Sequence, residues 1–207
     1  MEPTSGMPTR EDLATYESIL DLLMANHLDF HIVDTDILQE GLIEDGLVRV
    51  ADVSALVVLV APMRVIEEPL QKWLEAYEAS GGMVIRCRRN HPLDELQRVL
   101  SERVSPSLSV QRGDQEAAEV HVVKRVGPDR TLWFILNTSG ETIDAEIVCD
   151  CELCEVPLDD ALPTFLEGSH GRYTRVIREG GRLAGSRIRR IFSIGSEYTS
   201  VSGAPLV

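Results

Sequence analysis

Two kinds of hydrophobic pattern divide this chain. Before Ser105-Pro106, apolar positions either recur every three or four residues or gather into short unbroken runs; after it they alternate. The runs Leu56–Val60 (LVVLV) and Met83–Ile85 are short, rich in β-branched residues and not alternating, as in strands covered on both faces. Between them Leu70, Trp73, Leu74 and Tyr77 fall at i, i+3, i+4 and i+7, one apolar stripe of a helix. Glu67 and Glu68 suit the positive end of the helix dipole, Pro69 suits a first turn, and Gly81-Gly82 supplies a stop. The pattern predicts a strand–helix–strand unit with a right-handed crossover.

The flanking pattern extends this unit. Thr9 and Asp12 are spaced as a capping box, followed by Leu13, Tyr16, Ile19, Leu20 and Leu23 at helical spacing, with Asn26 and His27 as the end. Phe30–Val33 reads as a strand leading to Asp34-Thr35-Asp36, and Ile37–Leu42 as a helical turn. Glu44-Asp45-Gly46 is a turn signal before an extended Leu47, Val48 and Val50. Pro92 opens a further helix with Leu93, Leu96, Val99, Leu100 and Val104 on one face. This order predicts an open α/β sheet of flavodoxin-like type over residues 1–112, with residues 1–8 as a loose leader.

Gln111–Gln115 (QRGDQ) reads as a polar linker, with the domain boundary near residue 113. Beyond it Val120 and Val122 alternate with His121 and Val123, Gly127-Pro128-Asp129-Arg130 predicts a hairpin turn, and Leu132–Leu136 is the return strand. Asn137–Gly140 is the next turn and Ile143, Ala145 and Ile147 the next alternating strand. Further strands are predicted near Leu153–Val156, Tyr173–Ile177 and Ile188–Phe192, with Gly168, Gly171, Gly180, Gly181 and Gly185 at connections and a frayed tail after Ile194. Residues 113–207 therefore read as an all-β sandwich domain.

Charge narrows the partners. The formal net charge of −14 opposes nucleic acid and anionic membranes, which draw on clustered Lys and Arg. The first residues lack the apolar core of a signal peptide, and no run approaches the roughly 18 apolar residues of a membrane span. Four cysteines are too few for a disulfide scaffold, so the expected setting is reducing and cytoplasmic.

The ordered stretches DFHIVDTDIL, EDG, LVVLVAP and LEAYEASGGMVI, followed by VHVVKRVGPDRTLWFILNTSG, carry a resemblance spanning residues 16–195. They resemble the region that follows the catalytic barrel in β-galactosidases with a trimerisation domain and in α-L-rhamnosidase-like enzymes: a class I glutamine-amidotransferase-like, flavodoxin-like domain, then a β-domain. Those families keep their catalytic carboxylates on a (β/α)₈ barrel of roughly 250 residues, for which this chain has no room. The resemblance implies a non-catalytic accessory or oligomerisation module of a glycoside hydrolase. Its partners would be a catalytic barrel domain or other copies of itself. The alternatives are a stand-alone carbohydrate-binding or regulatory domain, or a subunit completing a glycosidase active-site wall.

No residue is assigned to catalysis, a cofactor or a metal. Cys149, Cys151 and Cys154 form C-x-C-x-x-C, one ligand short of tetrahedral zinc unless Cys87 or His121 joins, and strand alternation puts Cys154 opposite the other two. Asp34 and Asp36 at one predicted strand end and Arg86, Arg88 and Arg89 at another either converge on a cleft or form a solvated salt-bridge rim or a docking face for a neighbouring domain; the rim or docking face is favoured, since two carboxylates without His or a nucleophile define no reaction. Cys87 follows a strand with His91 nearby, but it lacks the flanking glycines of a nucleophile elbow, which argues against amidotransferase chemistry. Trp73 belongs to the apolar stripe. Alternation turns one of Trp133 and Phe134 outwards, where it would face a sugar or a neighbouring domain.

Overall fold

The computed structural model describes residues 8–51, 53–63, 65–127, 130–151, 153–156, 164–165, 172–177 and 190–195. Within these the chain is a mixed α/β protein with four helices and several small sheets. It divides into two compact units. One holds the residues up to Leu22 with Phe30–Val104; the other holds Leu23–Asp29 with the described residues from Ser105 onwards.

The first unit begins with α1 (Arg10–Ala25), which continues through Leu23–Ala25 into the second. Its capping box forms as the spacing predicts: the Thr9 N–H donates to Asp12 Oδ2 at 2.8 Å, and the Asp12 N–H donates to Thr9 Oγ1 at 3.2 Å. The stretch Phe30–Val33, predicted as a strand, belongs to no ladder, and its apolar side chains are largely exposed. Without a face to bury, its β propensity has nothing to act on. The short helix α2 (Thr35–Gln39) follows, capped by Asp34 Oδ1, which accepts from the Ile37 N–H at 2.9 Å.

The open parallel sheet resolves into two separate small sheets. β1 (Leu42–Glu44), β2 (Leu47–Val50) and β3 (Val53–Ala55) form an antiparallel meander. Asp45 and Gly46, with φ of 50° and 76°, join Glu44 to Leu47. Two consecutive left-handed residues make a turn whose twist matches antiparallel strands, so this segment closes on itself as a hairpin. β4 (Val57–Val60) and β5 (Met83–Arg86) pair in parallel, Val57 opposite Met83, across α3 (Glu68–Ala79). α4 (Leu93–Ser101) completes the unit.

α3 stops as its glycines predict. The Gly82 N–H donates to the Tyr77 carbonyl and the Gly81 N–H to that of Glu78, both at 3.0 Å, with Gly81 at φ 96°: a Schellman cap. Gly82 has a second reason to be glycine. A Cβ there would lie 2.3 Å from the Tyr77 ring, which is fully buried. The core gathers Leu38, Val48, Val58, Val60, Leu70, Leu74 and Tyr77. Tyr77 Oη donates towards the carbonyls of Gly46 (3.1 Å) and Ala55 (3.2 Å), tying the helix to the meander.

The second unit contains two sheets. One runs β13–β10–β6–β7 and the other β12–β11–β14–β9–β8, where β6 is Ser109–Arg112, β7 Gln115–Glu116, β8 Val120–Val126, β9 Arg130–Asn137, β10 Ile143–Val148, β11 Cys154–Val156, β12 Thr164–Phe165, β13 Arg172–Ile177 and β14 Arg190–Gly195. A single buried cluster takes Val110, Ile143, Ala145 and Ile147 from the first sheet and Val120, Trp133 and Ile135 from the second. The predicted linker is part of this unit. Gln111 pairs with Glu116 and Arg112 with Gln115 around Gly113 at φ 65°, so a polar, glycine-containing stretch is a tight hairpin rather than a tether. The break between units accordingly falls after Val104.

β8 and β9 pair from Val120–Asn137 to Val126–Thr131, as the alternation predicts, and the strands near 153, 173 and 190 are present. Residues 1–7 of the expected leader, Pro128-Asp129, the glycines at 168, 171, 180, 181 and 185, and the tail beyond Gly195 lie outside the described residues. So does most of the resemblance's downstream reach past residue 156. Among the described residues no helix is long and apolar enough to cross a membrane.

Candidate functional site

The sequence-predicted groups do not converge on one centre. Asp34 is committed to capping α2. Arg86 forms a two-pronged pair with Glu78, at 2.8 and 3.0 Å, which lowers the Glu78 carboxyl and raises the guanidinium. Arg89 Nε donates to Asp12 Oδ1 at 3.0 Å and Arg89 Nη1 lies 3.0 Å from Glu11 Oε2. Hydrogen bonds from Arg89 and from Thr9 hold Asp12 well below the usual carboxylate range. These arginines therefore fasten the 86–89 segment to α3 and α1 within the first unit, the structural alternative that the spacing left open.

Cys87 is buried and its thiol is pushed up to about 11 by burial, the opposite of an activated nucleophile. His91 Nδ1 accepts from the Arg88 N–H at 3.5 Å. Trp73 stacks on Tyr77 with ring centroids 5.6 Å apart, and its Nε1 is buried without a hydrogen-bond partner. Trp133 turns inward, 3% exposed, and its Nε1 donates to Ser107 Oγ at 3.2 Å, so it offers no stacking face to a sugar. Cys149 and Cys151 lie in the connection after β10 rather than on a continuing strand, with their sulfur atoms 3.2 Å apart. The Cys154 side chain lies outside the described residues. No group of three metal-binding side chains occurs among the described residues.

One polar constellation escapes sequence reading. α1 ends in a Schellman arrangement: the Leu28 N–H donates to the Leu23 carbonyl and the His27 N–H to that of Met24, with His27 in the left-handed position at φ 54°. This turn delivers a fully buried His27 side chain into the second unit. Its Nε2 lies 2.7 Å from the Val120 carbonyl oxygen, which only accepts, so Nε2 carries a hydrogen. Nδ1 lies 2.7 Å from Glu116 Oε2 and faces the Val110 N–H at 3.3 Å, so one proton lies between ring and carboxyl. Ser109 Oγ donates to Glu116 at 2.7 and 2.8 Å. Burial raises the Glu116 carboxyl, but the hydrogen bonds and charge of His27 and the Ser109 hydroxyl outweigh it and leave the group below its ordinary value.

Serine, histidine and a carboxylate here are not a hydrolytic triad. Both Ser109 and His27 bond to the carboxylate, so the imidazole does not reach the hydroxyl it would have to deprotonate. Ser109 and His27 are each at most 5% exposed. The group is an anchor. With Ser107 Oγ donating to Asp29 Oδ2 at 2.8 Å and Lys124 3.7 Å from the same oxygen, it holds residues 27–29 to the β strands.

Several large apolar side chains also face solvent. Phe30, Ile32, Val33, Ile37 and Leu42 are exposed along one stretch of the first unit, Ile32 at 67% and Leu42 at 65%. The failed strand Phe30–Val33 thus becomes the candidate functional surface, together with the side chains of Ile37 in α2 and of Leu42, which the structure places at the start of β1 and not in the predicted helical turn. No family model and no curated protein sequence matches the chain.

Proposed function

We propose that this chain is a non-catalytic accessory module of a glycoside hydrolase, contributing contacts to other copies of itself or to a catalytic barrel. The observation that carries the reading is the set of exposed apolar side chains Phe30, Ile32, Val33, Ile37 and Leu42. A side chain such as Ile32 forgoes about 2 kcal/mol of burial by facing water, and a run of them favours coverage by another surface. The parallel β4–β5 pair bridged by α3 supports assigning the first unit to the flavodoxin-like class. The buried cluster shared by two antiparallel sheets supports a sandwich for the second. The parent enzyme class rests on the order of motifs in the sequence. The compartment proposed is the cytoplasm, on the strength of the cysteine usage.

Light scattering of the purified chain at low and moderate salt tests this. A charge of −14 opposes self-association, and salt screens it beyond about 10 Å at 0.1 M, so a two-fold dimer is expected to strengthen with salt. Ile32→Glu with Leu42→Glu is expected to return it to monomer with an unchanged circular dichroism spectrum. Turnover of aryl glycosides is expected to stay at buffer level. A strict monomer at both salt concentrations overturns the contact between copies and leaves only docking on a barrel, and turnover lost on changing one Asp or Glu overturns the reading in favour of an enzyme.

A further inference from the structure

The chain from the end of β10 to the start of β11 places two thiols against one another. Cys149 Sγ points its hydrogen at the Cys151 carbonyl, 3.1 Å away, and Cys151 Sγ points its hydrogen at Cys149 Sγ, 3.2 Å away. Cys149 is buried in the β core and Cys151 packs against it, half-exposed. A disulfide needs its sulfur atoms at about 2.04 Å, so closure asks for about 1.2 Å of approach between neighbours separated by one residue in a connection, outside any helix or ladder. Core packing alone explains one small buried residue. It does not explain two sulfur atoms in direct contact.

We propose that Cys149 and Cys151 are an oxidation site, a C-x-C dithiol that a peroxide converts into an intramolecular disulfide. Cys149 is the attacking sulfur: the hydrogen bond from Cys151 favours its thiolate, against burial and the charge of Asp150, and the same bond together with burial keeps Cys151 protonated. The Cys149 thiolate attacks one oxygen of hydrogen peroxide. The O–O bond breaks and hydroxide leaves, taking a proton to become water, while Cys149 becomes a sulfenic acid. Cys151 sulfur then attacks Cys149 Sγ, the S–O bond breaks, and the departing hydroxide leaves with the Cys151 proton as a second water. Two thiols lose two electrons and two protons, and one peroxide becomes two waters. A small oxidant suits a nucleophile that is 5% exposed, where a bulky disulfide reagent would not reach.

The purified full chain is treated with hydrogen peroxide, alkylated, cleaved after glutamate and weighed by mass spectrometry. Cleavage after Glu146 and Glu152 isolates Cys149 and Cys151 from Cys154 and from Cys87. The 147–152 fragment is expected to lose two hydrogen atoms, to resist alkylation, and to regain both thiols with dithiothreitol. Cys87→Ser is expected to behave as wild type, whereas Cys149→Ser and Cys151→Ser are each expected to abolish the loss. Two alkylated thiols in that fragment after peroxide treatment overturn the proposal. So does a fragment cross-linked to the Cys154 peptide or to a second chain, since either places the bond elsewhere.

Discussion

Tyr77 in the first unit and His27 in the second are buried polar side chains held by different means. In the first, the phenol of Tyr77 reaches two backbone carbonyls and is pushed up to about 12 by burial, so it stays neutral at any ordinary pH. In the second, His27 Nδ1 lies 2.7 Å from Glu116 Oε2, with Ser109 completing the carboxylate's bonds. A neutral hydroxyl costs little to bury once bonded. An ionisable pair is costly to break, because removing one member strands the other in a poor solvent. Changes at the Tyr77 site are therefore expected to act mainly through shape, and changes at the His27 site through charge.

The two tryptophans make that contrast measurable, since Trp73 lies in the first unit and Trp133 in the second. With Trp73→Phe or Trp133→Phe as background, fluorescence during urea unfolding reports on one unit at a time. The largest effect is expected from His27→Ala, about 3 kcal/mol lost in the Trp133 signal because Glu116 is left with only a quarter of its side chain exposed and one partner fewer. His27→Gly removes the same atoms without the left-handed backbone penalty and is expected to recover about 1 kcal/mol. If the Trp73 signal moves by the same amount, the two units unfold as one and the contrast fails.

A smaller effect, about 2 kcal/mol and confined to the Trp73 signal, is expected from Gly82→Ala, whose Cβ would overlap the Tyr77 ring. Tyr77→Leu in the Gly82→Ala background removes the overlapping ring, so the cost of the alanine itself is expected to shrink in a double-mutant cycle. Full additivity would sink the steric account.

The smallest effect is in pH. The folded Glu116 carboxyl lies below its ordinary 4.5, so the folded state binds fewer protons there than the unfolded one. That stabilisation is fully present above about 4.5 and is lost as pH falls through the folded value. Glu116→Gln is expected to flatten the acid dependence of the Trp133 signal and to leave that of Trp73 unchanged. An unaltered acid limb would assign the sensitivity to other carboxylates.

Local signals were legible where a residue's role depends on its immediate neighbours. Thr9 and Asp12 specify a helix start, Asp45-Gly46 a tight hairpin and Gly81 a helix stop, because each acts through bonds spanning five residues or fewer. Alternation in 120–148 likewise announced paired strands with one buried face. The candidate surface was not legible: Phe30–Val33 read as a strand and Ile37–Leu42 as a helical turn, and neither pattern announced exposed side chains.

By itself, then, the sequence determined the caps, the turns, the strand–helix–strand and the change of period near Ser105. Partner choice came from the tertiary structure alone. Whether Phe30–Val33 joins a ladder depends on a free edge elsewhere, and whether QRGDQ tethers or folds depends on a neighbour for β6. Whether His27, besides ending a helix, also anchors a carboxylate depends on Glu116, far along the chain. These are long-range pairings, and local propensity carries no information about which distant surface will be there to meet it.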